Sequence, residues 1–192
     1  MRILFYLLLL CLVVNANADI QHKLTNLMIR DSKKVTSLLQ DKNISQKTRD
    51  EQIIAIVSPR FDFDIMGKLS LGRETYMSVS KKEQQEYLKI FHQRIEQSYI
   101  DKLHLYNNQQ LEFETAERVN DRRINLLSYI IDNNQRKKII YKFYRSRSGK
   151  WLIYDINLLG VSIVQTYRNQ FADMLQHSTF KQFLEKLRVD QL

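Results

Sequence analysis

At Asn107-Asn108 the spacing of apolar residues switches from the helical period of 3.6 to the strand period of 2, and after Gly160 it switches back. Upstream, Ile20, Leu24, Leu27, Met28, Val35, Leu38 and Leu39 predict an amphipathic helix with a polar centre at Asp31 to Lys34. Ser45 to Val57 predicts a second helix, which stops before Ser58-Pro59 because proline disfavours helical geometry in the residue ahead of it. Arg60 to Gly72 reads as a short helix or two turns, with Gly67 and Gly72 as stops. Ser80 and Glu83 then form a capping box, followed by Tyr87, Leu88, Phe91, Ile95, Tyr99, Leu103 and Tyr106 on one helical face.

Between the two switches lie four alternating or apolar runs: Leu111 to Thr115, Ile124 to Ile131, Ile139 to Tyr144 and Trp151 to Leu158. Turn-forming residues separate the last three, so short connections predict an antiparallel meander. Helical spacing resumes with Ile163, Tyr167, Phe171 and Leu175, and a last helix carries Phe180, Phe183, Leu184 and Leu187. The order predicts an α+β fold, a four-stranded antiparallel sheet packed against N- and C-terminal helices. At 192 residues the chain suits one domain.

The N-terminus predicts export. Arg2 precedes an apolar run from Ile3 to Val14, and Ala16-Asn17-Ala18 supplies a small-residue cleavage site. The run is shorter than the roughly 20 residues of a spanning helix. Residues 1–18 are therefore expected to be a cleavable signal peptide and residues 19–192 a single exported domain. The one cysteine, Cys11, falls in the signal, so no disulfide framework or cysteine zinc site is expected.

Lys and Arg number 30 against 21 Asp and Glu, a net charge of +9 that favours anionic partners. The basic residues are scattered, and no aromatic stacking motif of nucleic-acid readers accompanies them, so no nucleic-acid partner is expected.

Candidate chemistry is sparse. His92 and His104 lie about 18 Å apart along one predicted helix and cannot share a metal; no metal is expected. Asp62 and Asp64, two residues apart, do not face each other on a helix and suit capping better than acid–base work. Asp155, a carboxylate in an otherwise apolar strand, either pairs with a basic residue or backbone donors, or acts as a general base with a tyrosine such as Tyr141. The second option describes a small exported hydrolase or isomerase. A third reading, a purely structural envelope or nucleic-acid-binding protein, would rest on charge alone.

Two longer patterns go further. Phe61-Asp62-Phe63-x-x-Met66-Gly67-x-x-x-Leu71-Gly72 and Trp151-x-x-Tyr154-Asp155-x-x-x-x-Gly160-Val161-Ser162-x-x-x-x-Tyr167-Arg168-x-Gln170-Phe171 resemble the MlaC family, the toluene-tolerance auxiliary proteins of ABC transporters. The resemblance runs from about Ile20 to Arg188. Tyr76 stands where the family often has Trp, and Leu159 where a Glu often precedes Gly-Val-Ser. The resemblance implies a periplasmic phospholipid carrier that maintains outer-membrane lipid asymmetry. It would exchange cargo between an outer-membrane lipoprotein–porin complex and the MCE-domain ring of an inner-membrane ABC transporter. It also implies a twisted sheet and helices enclosing an apolar lipid pocket, no catalysis, and no cofactor beyond the bound phospholipid. A monomer is expected.

On that reading the candidate pocket lining comprises Leu111, Phe113, Leu126, Ile139, Tyr141, Phe143, Tyr154 and Ile156 on the strands. Facing them are Phe91, Ile95 and Tyr99, with Val161, Ser162, Val164 and Tyr167 at the corner after the last strand. Ser162 is placed to cap the helix that follows, and the free amides there could meet a phosphate. Periodicity does not distinguish a carrier pocket from a closed core.

Overall fold

The computed structural model describes the backbone of residues 2–132 and 135–189, with side chains described for 19–132 and 135–188. The side chains of the expected signal segment, 1–18, lie outside those described. Helix α1 (Arg2–Gln40) is followed by α2 (Gln46–Val57), a 3-10 turn (Ser58–Arg60), α3 (Phe63–Leu71), α4 (Arg73–Ser78) and α5 (Lys81–Leu103). The strands are β1 (Gln110–Phe113), β2 (Glu117–Asn120), β3 (Arg123–Asp132), β4 (Gln135–Arg145), β5 (Trp151–Leu158) and β6 (Val161–Ser162). Helices α6 (Ile163–Gln176) and α7 (Phe180–Val189) close the chain. Among the described residues no helix is long and apolar enough to cross a membrane.

The boundaries follow from local chemistry. Ser45 caps α2, its hydroxyl accepting the amide of Thr48, and α2 gives way at the predicted Ser58-Pro59. The Asp62 carboxylate accepts the Ile65 amide at 2.9 Å and starts α3, the capping role expected for this residue. Both halves of the Ser80–Glu83 capping box form at the start of α5. Gly72, with φ of 83°, lets α3 stop and α4 begin at once, a backbone that L-residues with a side chain rarely adopt.

The α+β class and the antiparallel meander are as expected, but the sheet has six strands, not four. Its main path runs β1-β3-β4-β5-β6, with β2 also paired to β3. The two extra strands are short and carry no alternation of their own: β2 pairs beside a long neighbour, and β6 is a two-residue return after Gly160.

The core is divided in three. One cluster joins α3, α5, α6 and α7 through Met66, Tyr87, Phe91, Phe171, Phe183 and Leu187. The second lays Leu24 and Met28 of α1 on Ile124, Leu126, Phe143 and Ile153 of the sheet. The third packs Val35, Ile53 and Ile100 where α1, α2 and α5 meet. The opposite face of the sheet is half-buried and polar-aromatic, with the Arg136 guanidinium over Tyr129 at 4.0 Å and Arg123 over Tyr154 at 5.6 Å.

Candidate functional site

Where the three clusters converge they do not fill the space. A cavity of about 400 Å³ opens between the end of α2, α3, the C-terminal half of α5, β5, β6 and the start of α6. That size lies within the ordinary range of ligand sites, roughly 300–1,000 Å³. Each neighbouring core contributes to the wall: Met66 from the helical cluster, Ile156 from the sheet cluster, and Ile54, Val57 and Tyr99 from the third. Phe61, Phe63, Ile95, Leu158, Val161, Ile163 and Tyr167 complete an apolar lining.

Helical spacing on α5 organises the polar part. Ile95 and Tyr99 form an apolar stripe on the cavity, and Arg94, Ser98 and Lys102 run beside it at the i, i+4, i+8 positions. The Lys102 ammonium donates to the Ser98 hydroxyl at 2.8 Å, and Arg94 donates to the carbonyl of Leu187 at 3.3 Å. Glu96 receives the Ser58 hydroxyl and lies 3.1 Å from His92, whose ring stacks on Phe63 at 4.1 Å. Burial pushes the Tyr99 hydroxyl well above the usual phenol range, so it remains a protonated donor on this wall. Leu158 and Val161 are 37% and 59% exposed while lining the cavity, which places its mouth at the β5–β6 corner.

Of the residues singled out by sequence, Ile95, Tyr99, Ile156, Val161 and Tyr167 come together around the cavity. The others lie elsewhere. Leu126 and Phe143 are sealed under α1, with Phe113 and Tyr141 packed against the same cluster, their rings 6.3 Å apart. Phe91 and Val164 belong to the helical core. Ile139 is buried opposite Leu158 on the ladder, and Leu111 is half-buried on β1 opposite Ile130.

Tyr154 and Ile156 are expected on one face of β5, and here the structure departs from strict alternation. The register slips between Lys142 and Phe143: Lys142 faces Asp155, but Phe143 faces Ile153. Tyr154 is the extra residue of a β-bulge. Ile153, not Tyr154, therefore joins the closed core, while the Tyr154 ring meets Tyr144 edge-on at 6.0 Å.

The bulge also sets Asp155. Its buried carboxylate accepts Lys142 Nζ at 2.9 Å and Ser162 Oγ at 2.8 Å on one oxygen, and the Val164 amide at 3.2 Å on the other. Ser162 caps α6 as expected, accepting the Gln165 amide at 3.1 Å. The amides of Val164 and Gln165 thus already have anionic or hydroxyl partners from the chain itself, so this helix start does not offer them to a phosphate. Asp155 ties β4, β5 and α6 together, and Tyr141 is not among its partners.

Sequence reasoning missed Ile54, Val57, Phe61, Phe63 and Met66 as wall residues. A signal was available, since Phe61, Phe63 and Met66 fall in the first family-like pattern, directly after the proline that ends α2. Among the described residues no three His, Cys, Asp or Glu side chains gather as a metal site.

A family model described as MlaC protein matches residues 30–189. The intermembrane phospholipid transport system binding protein MlaC of Haemophilus influenzae is 28% identical over 134 residues, covering 68% of this chain and 62% of that protein. The toluene tolerance protein ttg2D of Pseudomonas putida is 23% identical over 123 residues, 64% of this chain and 57% of that protein. The alignments thus span about three fifths of the length of these curated relatives. The solved phospholipid-binding protein from Ralstonia solanacearum, in complex with a phospholipid, is similar in fold with a TM-score of 0.72. At 21% identity it covers 87% of this chain, which in turn covers 97% of it.

Proposed function

The chain belongs to the MlaC family, and from that premise we propose that it is a phospholipid carrier that holds acyl chain in the cavity between helices and sheet and performs no chemical step. The observation that carries the reading is the cavity itself: an apolar chamber left open where three packed cores meet, with a cationic stripe on α5 beside it. Burying a methylene contributes about 0.8 kcal/mol, so a sixteen-carbon chain gains on the order of 10 kcal/mol by leaving water. Arg94 and Lys102 suit a phosphate at the rim. The names and bound ligand of the similar proteins support the same cargo.

The wider role is part of the same proposal. The protein is exported to the periplasm by its N-terminal segment and works as a monomer. It passes phospholipid between an outer-membrane lipoprotein–porin complex and the MCE-domain ring of an inner-membrane ABC transporter, sustaining outer-membrane lipid asymmetry.

Organic extraction of the purified protein followed by mass spectrometry tests the reading. Co-purifying phospholipid that exchanges with labelled phospholipid is the expected result. Protein that carries none and takes up none would overturn it.

A further inference from the structure

The hairpin from β5 to β6 turns on Leu159 and Gly160, with φ of 54° and 91°. Positive φ at both central residues marks the tight turn that matches strand twist, and its first position ordinarily takes Asn, Asp or Gly. Here it takes leucine, 61% exposed, in a backbone that a branched apolar side chain disfavours. The turn is firmly held: the Leu159 amide donates to the Lys138 carbonyl at 3.0 Å and the Gly160 amide to Asn157 Oδ1 at 2.9 Å. Leu158 and Val161 flank it, both exposed and both on the cavity wall. Three large apolar side chains thus stand in water on a strained, rigid tip. Folding does not require this arrangement, because asparagine would make the same turn with less strain.

The surroundings say what would cover the tip. Lys138, whose carbonyl anchors Leu159, is exposed, and Lys102 lies on the wall of the same cavity with the neutral Ser98 as its partner. Apolar side chains beside lysines match a surface with acyl chains beneath anionic headgroups, and the long lysine stems let the charges stay at headgroup level.

We propose that Leu158, Leu159 and Val161 form a docking lip that inserts into an anionic phospholipid surface, with Lys138 and Lys102 over the headgroups. Because Leu158 and Val161 also line the cavity, the inserted lip joins bilayer to chamber by a continuous apolar path. The proposal rests on the phospholipid-carrier reading and deepens it by naming the face that docks on the membrane beside those complexes.

The test is co-sedimentation of the purified protein with vesicles of equal parts phosphatidylcholine and phosphatidylglycerol, against pure phosphatidylcholine. The protein is expected to bind the anionic vesicles, and Leu159→Asn to bind about tenfold more weakly. Leu159→Asn suits the turn, so its thermal midpoint should equal or exceed that of the wild type, and its co-purified phospholipid should be unchanged. Lys138→Glu should weaken binding to anionic vesicles alone. Equal vesicle binding by wild type and Leu159→Asn, or no binding by either, overturns the proposal. Cargo transfer that Leu159→Asn loses only with a protein acceptor, its vesicle binding unaltered, would assign the lip to a protein partner instead. Loss of the carrier reading is separately visible as an absence of extracted lipid from the wild type.

Discussion

Lys142 and Asp155 face each other across the β4–β5 ladder, 2.9 Å from Nζ to Oδ2, at the one place where β5 carries an extra residue. Because the same carboxylate accepts Ser162 and the Val164 amide, this pair fixes the β5–α6 corner that frames the cavity mouth. Asp155→Asn removes the negative charge and leaves Lys142 without its counterion. Urea denaturation should show a loss of about 2–4 kcal/mol. Extracted phospholipid per protein should stay close to the wild-type level, because no atom of Asp155 lines the cavity; loss of lipid from a variant that remains folded would contradict this.

The division between closed core and open chamber gives a contrasting pair. Phe143 is 1% exposed beneath α1, so Phe143→Ala would leave a cavity in the closed core and should cost about 3–5 kcal/mol. Ile156 lines the cavity, so Ile156→Trp can place its added volume there, with a stability change under about 1.5 kcal/mol. Lipid content should fall several-fold in the second variant. Lipid mass spectrometry and thermal melts on both proteins check the contrast.

Gly67, expected as a helix stop, instead lies inside α3, because its missing side chain lets that helix pack tightly on α5. A β-carbon there would lie 2.8 Å from Leu88 Cδ2 and 3.1 Å from Phe91 Cδ1. The leucine tip can swing aside, but Phe91 is fully buried, and the Gly67 carbonyl also accepts the Tyr87 hydroxyl at 2.9 Å. Gly67→Val should destabilise by roughly 2–3 kcal/mol, read as a shift of the denaturation midpoint.

Alkali should unfold the protein early. Burial pushes the Tyr141 hydroxyl up to about 12 and those of Tyr87 and Tyr99 further still, against an ordinary value of about 10. Above pH 10 or so the unfolded chain releases protons that the folded chain retains, so stability is intact below that point and falls as pH rises towards 12. Tyrosinate absorbance should therefore rise in step with loss of near-ultraviolet circular dichroism. Tyr141→Phe should reduce the steepness of that fall.

Much of the frame is readable from residue spacing. The Ser80–Glu83 box, the Asp62 and Ser162 caps and the stop at Ser58-Pro59 depend on contacts within a few residues, so local chemistry determines them. The short strands β2 and β6 escape such reading because their partners, not their own pattern, make them strands. Ile95, Tyr99, Ile156, Val161 and Tyr167 could be named for the cavity, but the same reasoning named Leu126 and Phe143, which are sealed under α1.

By itself the sequence determined the α+β order, the helix ends, the apolar faces and the MlaC family. Each is encoded in periods, caps and motifs that one stretch of chain carries alone. Only the tertiary structure decided which apolar side chains touch each other and which line the cavity. The hydrophobic effect rewards burial of either kind equally, so composition and period are blind to the difference. The bulge at Tyr154 and the strained Leu159 tip are likewise products of pairing with β4, whose register fixes them from outside their own segment.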